Sequence, residues 1–193
     1  MTFQTTGGQF PIPETSNTPL LAFRCTQAIR PYLPGDKTDG PQPAILIDTP
    51  VVYSHIDNAK PISTYHSDAL DVKVFIDERL LAQGTVPLNA AKHELPFSLA
   101  DLEPSSKAYK ISCIATAESQ RFEASSLLTY LPDPPPSIGS VTKMDLRTGA
   151  LLARPADGKA GPYSPLFPIG FFTNFKGYLD QNLSIPAELV AQG

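Results

Sequence analysis

Carboxylate side chains can act as acid, base or nucleophile when two of them lie close together, as in the hydrolysis of glycosidic bonds, where they lie about 5 to 9.5 Å apart. The closest acidic cluster in the sequence is formed by Asp71, Asp77 and Glu78. The alternating pattern around Asp71 places it on the outer side of a strand, and Asp77 and Glu78 fall in the turn that follows. Solvated charge is usual at such positions, so these residues are interpreted as surface carboxylates, with catalysis as the open alternative.

The histidines and the serine pairs form no catalytic pattern. His55, His66 and His93 are far apart in the sequence, and none has a His or Cys partner at the spacing of metal ligands. The serine pairs at 105–106 and 125–126 lack the G-x-S-x-G context of a nucleophilic serine. The sequence therefore predicts no catalytic residue, no metal and no cofactor in this chain.

Two cysteines, Cys25 and Cys113, allow two interpretations. Free cysteine behaves as a small hydrophobic residue, so both can be buried, unreactive thiols. Alternatively, one disulfide joins the first strand to a late strand, which requires an oxidising compartment. Two cysteines are too few for a disulfide framework, so both interpretations stay open.

Asn182 begins the sequence Asn-Leu-Ser, an N-glycosylation sequon predicted to lie in a loop. A glycan there fits an exported protein. Glycosylation would compete with capping of a following helix by Ser184, so an unmodified Asn182 is the other interpretation.

Aromatic residues in the C-terminal part of the chain are candidates for stacking against sugar rings. The candidates are Tyr163, Phe172 and Tyr178. Their spacing also fits packing against a further layer of protein, which is the alternative interpretation. Carbohydrate is therefore a candidate partner.

Composition limits the class of protein. Twenty-one prolines among 193 residues are compatible with turns, edge strands and linkers but not with a helical bundle. The net charge of −4 and the scattered basic residues argue against a nucleic-acid partner. No apolar run is long enough for a membrane-spanning helix, and residues 1–9 lack the features of a signal peptide.

Seven short strands, separated by turn signals, must position these residues. Apolar and polar residues alternate most clearly at 70–76 and 109–115. Short alternating strands at this density predict an all-β fold with two packed antiparallel sheets. The predicted strands are 20–25, 44–47 continuing into 51–53, 70–76, 80–86, 95–99, 109–115 and 122–130.

A local motif refines this fold class. Leu102 and Pro104 precede Tyr109, which opens an alternating strand. This pattern resembles the tyrosine corner of immunoglobulin-like and fibronectin type III domains, in which the tyrosine hydroxyl binds upstream backbone. The chain has no tryptophan, so it lacks the usual immunoglobulin core residue. The expected fold is an immunoglobulin/fibronectin III-like antiparallel β-sandwich with a short C-terminal β-α fragment.

Proline-rich segments suggest how the chain is divided. Residues 1–19 are interpreted as a flexible N-terminal segment and residues 20–131 as the β-sandwich domain. Residues 132–140 contain three consecutive prolines and are interpreted as a semi-rigid linker. Residues 141–193 are expected to form a hairpin and the first β-α unit of an incomplete α/β barrel.

The last part of the chain suggests this barrel. The apolar run at 165–175 is typical of a strand buried on both faces, as in a parallel sheet. Residues 182–192 are expected to form a helix, with Ser184 as N-cap and Pro186 in the first turn. A β-α unit needs further parallel strands for packing, so this part is expected to pack against a barrel domain that the chain lacks.

Residues 161–193 resemble one protein family. The motifs are Gly161-Pro-Tyr163-Ser-Pro-Leu-Phe167-Pro-Ile-Gly170-Phe-Phe-Thr-Asn-Phe175, then Tyr178-Leu179, Asn182-Leu183 and Glu188-Leu189. They resemble the entry into the barrel of fungal secreted glycosidase-like proteins, in which an immunoglobulin-like sandwich precedes a (β/α)₈ barrel. The resemblance implies an extracellular location, and it implies that catalytic acids lie on later barrel strands. No catalytic residue carries over to this chain.

Three functions are therefore consistent with the sequence. The first is a non-catalytic accessory module of a glycosidase-like extracellular protein, with the chain ending before the catalytic residues. The second is a free-standing module that binds carbohydrate or protein. The third is a gene fragment without independent activity.

Overall fold

A computed structural model of the chain describes residues 12–63, 68–135, 141–154 and 161–167, and seven positions between Lys176 and Ala191. β-Strands are the main regular structure of the described part, which confirms the all-β prediction. A short 3₁₀ helix spans Pro34–Lys37. The strands are β1 (Thr15–Leu21), β2 (Arg24–Gln27), β3 (Ile29–Arg30), β4 (Ala44–Asp48), β5 (Val51–Ser54), β6 (Lys60–Pro61), β7 (Ala69–Ile76), β8 (Arg79–Pro87), β9 (His93–Pro96), β10 (Tyr109–Ala117), β11 (Gln120–Leu128), β12 (Lys143–Asp145), β13 (Ala150–Ala153) and β14 (Ser164–Leu166).

Two antiparallel sheets enclose the main core. One has the order β2-β4-β9 and the other has the order β11-β10-β7-β8. Alternate residues of β7 and β10 point inward, as the sequence pattern predicts, and Leu70, Val74 and Ile111 are each 0% exposed. Full burial of such a side chain contributes about 1.5–3 kcal/mol relative to its exposure. The arrangement is that of a β-sandwich.

A third sheet has the order β5-β1-β6. β1 begins at Thr15, inside the segment 1–19 that the sequence suggested was flexible. The sequence shows no alternation of apolar and polar residues there, because the first five side chains of β1 are partly or fully exposed. The strand is held by backbone pairing, with Thr15 opposite Ser54 and Leu20 opposite Pro61. The predicted strand 20–25 is likewise two strands, since β1 and β2 belong to different sheets.

A fourth sheet joins the chain after the proline-rich segment to the sandwich. β12 and β13 form the predicted hairpin, with Lys143 opposite Leu152. β12 also pairs with β3, with Met144 opposite Arg30 and Asp145 opposite Ile29, so the sheet order is β14-β13-β12-β3. The division at 132–140 did not anticipate this backbone pairing between the hairpin and the preceding domain.

The hairpin turn covers the outer face of β4. Ile45 and Ile47 face the main core, while Ala44 and Leu46 lie in a second cluster with Ala28. Leu146 packs on this cluster, and its amide donates to the carbonyl of Ala28 at 2.8 Å. β4 is thus buried on both faces, which accounts for its unbroken apolar sequence.

The described beginning of the 165–175 segment differs from the prediction of a strand buried on both faces. β14 is antiparallel to β13, and all three of its residues are exposed. Phe167 is 86% exposed. The apolar run alone does not reveal that β14 pairs at the edge of a hairpin. Residues 168–175 lie outside the described part, and in the predicted helix Ala187, Glu188 and Ala191 are helical.

Two fully buried tyrosines lie side by side where β11 ends. Tyr32 and Tyr130 are 1% and 0% exposed, and an isolated parallel bridge joins them. The Tyr32 hydroxyl donates to the carbonyl of Ala44 and accepts from its amide, each at 3.1 Å. The Tyr130 hydroxyl has no hydrogen-bond partner within the described structure.

Removing each hydroxyl should therefore have opposite effects on stability. Tyr32→Phe is expected to lower the free energy of unfolding by about 2 kcal/mol, because the buried Ala44 amide loses its acceptor, while the Ala44 carbonyl keeps the Ala28 amide as its donor. Tyr130→Phe is expected to leave it unchanged or raise it by about 1 kcal/mol, because an unpaired buried hydroxyl is removed. Urea unfolding of both variants measures the difference. Equal losses would contradict the assigned hydrogen bonds.

Candidate functional site

The acidic cluster considered for catalysis lies at the surface. Asp71 is exposed on β7 and accepts a hydrogen bond from the Thr85 hydroxyl at 3.0 Å. Asp77 and Glu78 form the turn between β7 and β8, with φ of 45° and 68°. The three carboxyl groups therefore occupy the strand and turn positions that the sequence pattern indicated.

The remaining candidates for polar chemistry are dispersed. His55 is exposed at the end of β5, His93 is half-buried in β9, and His66 lies outside the described residues. Among the residues that the structure describes, no three His, Cys, Asp or Glu side chains are grouped as metal ligands.

Cys25 and Cys113 form a disulfide, with Cα atoms 6.6 Å apart. Cys25 lies in β2 and Cys113 in β10, so the bond joins the two sheets of the sandwich. The bond lies beside an open groove of about 760 Å³ between β2 and β11. The structure therefore contains the disulfide, which is the second of the two interpretations of the cysteines.

A second cavity, of about 440 Å³, lies where the C-terminal sheet meets the sandwich. Its walls come from the 3₁₀ helix and the loop after it, from β3 and β13, and from the residues just before β14. Apolar side chains and four charged groups line it together. The residues that carry its chemistry are Asp36, Asp39, Lys143, Arg154 and Tyr163.

A buried ion pair forms one wall of this cavity. The Lys143 side chain is 2% exposed, and its Nζ lies 2.7 Å from both carboxylate oxygens of Asp36. The same carboxylate accepts from the Leu33 amide at 2.8 Å, which holds it at the start of the 3₁₀ helix. Burial lowers the pKa of Lys143, and the hydrogen bond and charge of Asp36 oppose this change.

Tyr163 contacts two cations in the cavity. Lys143 Nζ lies 3.9 Å from the centre of its ring, and the guanidinium carbon of Arg154 lies 4.9 Å from it. Both distances suit cation–π contacts. Burial raises the pKa of the Tyr163 hydroxyl, so the group is a neutral donor at physiological pH. Sugar stacking on this ring stays a prediction, and at least one ring face already holds a cation.

Sequence reasoning found Tyr163 but missed its partners. Lys143 was placed in a hairpin, where a lysine is normally solvated, and Asp36 was placed in a loop. Their contact joins residues 107 positions apart, and no local pattern indicates it. The one usable signal was the position of Lys143 within its strand. Consecutive residues of a strand face opposite sides, so Lys143 must face the side opposite to Met144.

The sequon residue is accessible. Asn182 is exposed, and its Oδ1 accepts from the Ser184 amide at 2.9 Å. The Ser184 hydroxyl lies 2.8 Å from Asn182 Oδ1 and 2.7 Å from Glu188 Oε1, and the Glu188 amide donates to the Ser184 carbonyl. The other two stacking candidates, Phe172 and Tyr178, lie outside the described residues.

Comparison with protein-family models, with curated proteins and with solved structures finds no match for this chain. The fold and the site thus define a general class, an all-β, sandwich-like protein with a disulfide between its two main sheets. Within the residues that the structure describes, no helix combines the length and apolarity needed to cross a lipid bilayer.

Proposed function

We propose that this chain is a non-catalytic, immunoglobulin/fibronectin III-like module of an extracellular, glycosidase-like protein. Its role is to hold the chain that follows in a fixed orientation. The observation that carries this proposal is the pairing of β12 with β3, which builds the segment after the proline-rich stretch into the sandwich.

The strand order supports the immunoglobulin-like part of the proposal. In these folds one sheet carries strands C, F and G, with C′ at its edge in some members, and the other carries A, B and E. The order β11-β10-β7-β8 corresponds to G-F-C-C′, and β2-β4-β9 corresponds to A-B-E. The chain changes sheet after β4, after β8 and after β9, as this correspondence requires.

The tyrosine corner supports the same assignment. The Tyr109 hydroxyl donates to the carbonyl of Glu103 at 2.6 Å, across the connection from β9 to β10. Tyr109 is the first residue of β10, which corresponds to strand F. A tyrosine at the start of strand F with an upstream backbone partner is the hallmark of this corner.

Polar contacts anchor the hairpin at its turn and at its open end. At the turn, Arg147 Nε lies 3.0 Å from Glu94 Oε2, and Lys92 Nζ donates to the Arg147 carbonyl at 2.6 Å. At the open end, Lys143 pairs with Asp36. Because the hairpin is held at both places, β13 and β14 continue from a fixed point of the sandwich. A rigid exit of this kind suits a module that orients a neighbouring domain.

Two observations support the extracellular part of the proposal. A disulfide between the sheets is typical of oxidising compartments. The exposed Asn182 has the sequon geometry that a glycosylating enzyme can reach.

Two experiments test this function. The purified chain is expected to give no turnover of chromogenic α- and β-glycosides above a heat-denatured control, because one of the two carboxylates that line each described cavity is held in an ion pair, Glu123 by Arg121 and Asp36 by Lys143. Measurable turnover would contradict the non-catalytic role.

Sequencing transcripts beyond the Gly193 codon is expected to reveal a continuing frame that encodes a barrel, and a stop codon there would contradict the accessory role.

The second candidate function is a free-standing binding module. The mixed apolar and charged cavity beside Tyr163 favours it, since ligand sites combine apolar walls with a few directed polar groups. It predicts retention of the chain on a polysaccharide or partner column.

A further inference from the structure

We propose that the cavity between the 3₁₀ helix and Tyr163 binds a small hydroxycarboxylate of sugar-acid size. This inference goes beyond the accessory role and does not depend on it. It rests on the size of the cavity and on the balance of donors and acceptors in its walls.

The cavity has the size and lining of a small-molecule site. A volume of about 440 Å³ is within the usual range for ligand pockets, about 300–1,000 Å³. Its apolar lining comes from Ile29, Leu33 and Leu152, of which the first two are buried in the fold. These side chains give a rigid base, because they belong to β3, to the start of the 3₁₀ helix and to β13.

One of the two cations is already neutralised within the protein. Asp36 holds Lys143 through both of its carboxylate oxygens at 2.7 Å. Arg154 has no carboxylate partner among the described residues, and its described contact is the face of Tyr163. The guanidinium group is therefore the charge that a ligand can satisfy. Its fork of donors matches a carboxylate with two parallel hydrogen bonds.

The Tyr163 hydroxyl adds a second donor without a protein acceptor in the described structure. A guanidinium and a neutral phenol on one wall favour an acceptor-rich anion over a neutral ligand. Asp39 lines the same cavity and is exposed, and its one side-chain hydrogen bond within the described part of the chain is accepted from the neighbouring Thr38 hydroxyl at 3.3 Å. A carboxylate at Arg154 and hydroxyl groups towards Asp39 match a hydroxycarboxylate such as a uronic acid.

The backbone at Gly35 leaves room for the ligand to approach Arg154. A Cβ atom at this position would lie 3.9 Å from the Arg154 Nη2 atom. The glycine keeps the space beside the guanidinium group open, whereas a larger side chain would extend towards it. The 3₁₀ helix thus places no side chain at this point beside Arg154.

Titration with galacturonate, followed by calorimetry and by protein NMR shifts, tests the site. Galacturonate is expected to bind with a Kd of about 1 mM, in keeping with a ligand of this size, and more weakly as NaCl is added. Galactose has the same ring without the carboxylate and is expected to bind at least ten-fold more weakly. Equal binding of the two sugars, or no binding of galacturonate at 10 mM, would overturn the proposal.

Variants assign the binding to this cavity. Arg154→Ala is expected to weaken galacturonate binding at least ten-fold, and Tyr163→Phe several-fold. Arg121→Ala is the matched control, because Arg121 is an exposed arginine on β11 that is paired with Glu123 at 2.7 Å. This variant is expected to bind galacturonate as tightly as the wild type. Unchanged binding by Arg154→Ala, in a variant with wild-type circular dichroism, would refute the site.

A final comparison identifies the source of the ligand. Trigalacturonate that binds more tightly than the monomer indicates the end of an acidic polysaccharide, and equal affinity indicates a free sugar acid. Either result supports the site. The proposal is overturned if neither the trimer nor the monomer binds. Glycosidase turnover tests the accessory role separately, so the two proposals can fail independently.

Discussion

Replacing both cysteines, as Cys25→Ala with Cys113→Ala, is expected to lower the free energy of unfolding by about 4–5 kcal/mol. The disulfide joins residues 88 positions apart, so it closes a long loop and lowers the conformational entropy of the unfolded chain. It also joins the two sheets, since one cysteine lies in β2 and the other in β10. The loss is a large fraction of the 5–15 kcal/mol that is typical of a domain. Urea unfolding at pH 7 measures it.

Reduction of the wild-type chain is the matched control. With dithiothreitol present, the wild type should approach the stability of the double variant, and the variant itself should not respond to the reductant. A difference of less than about 1 kcal/mol between oxidised and reduced wild type would contradict a stabilising bridge. The result also bears on the proposed extracellular location, because the bridge contributes only where it stays oxidised.

Breaking the buried ion pair is expected to have the second large effect. Lys143→Ala should lower the free energy of unfolding by about 3–5 kcal/mol, because it leaves the carboxylate of Asp36 without its partner. Lys143 is 2% exposed and Asp36 is 18% exposed, so neither charge is well compensated by water. The variant also loses the contact of Lys143 with the Tyr163 ring. Hydrogen exchange should show faster exchange in β12 and β13 than in β7 and β10.

A double variant separates the loss of the pair from the cost of a lone buried charge. Lys143→Met combined with Asp36→Leu should be much closer to wild type than either single change, since apolar pairs often replace buried ion pairs at little cost. Arg121→Ala is the surface control and should change stability by less than about 1 kcal/mol, because its pair with Glu123 is exposed. Equal effects of Lys143→Ala and Arg121→Ala would show that the hairpin is not anchored through Lys143.

Alternating sequence patterns predicted the central strands well. β7 and β10 appear where apolar and polar residues alternate, β8 and β11 appear at the strands predicted for 80–86 and 122–130, and the hairpin of β12 and β13 appears around its Thr-Gly turn. The corner hydroxyl of Tyr109 also binds upstream backbone, as its local motif indicated. These features depend on neighbours a few residues away, and residue type and spacing are sufficient to specify them.

Strand membership in sheets was predicted less well. The break between β1 and β2 and the pairing of β12 with β3 are decided by contacts between distant segments. The exposed β14 shows the same limit, because an apolar run has no feature that distinguishes a buried parallel strand from the edge of an antiparallel sheet. The period of the apolar residues shows which side of a strand is apolar, but it does not show which strand pairs with it.

The sequence by itself determined that this protein is an all-β chain whose strands alternate around a core, because side-chain period and proline content act locally. Only the tertiary structure decided that Cys25 meets Cys113 and that Lys143 meets Asp36, over separations of 88 and 107 residues. It also decided that Arg154 and Tyr163 share a cavity with the 3₁₀ helix. The reason is physical: a buried charge needs a counter-charge and a disulfide needs two sulfur atoms close together, and the folded topology alone determines which partner is within reach.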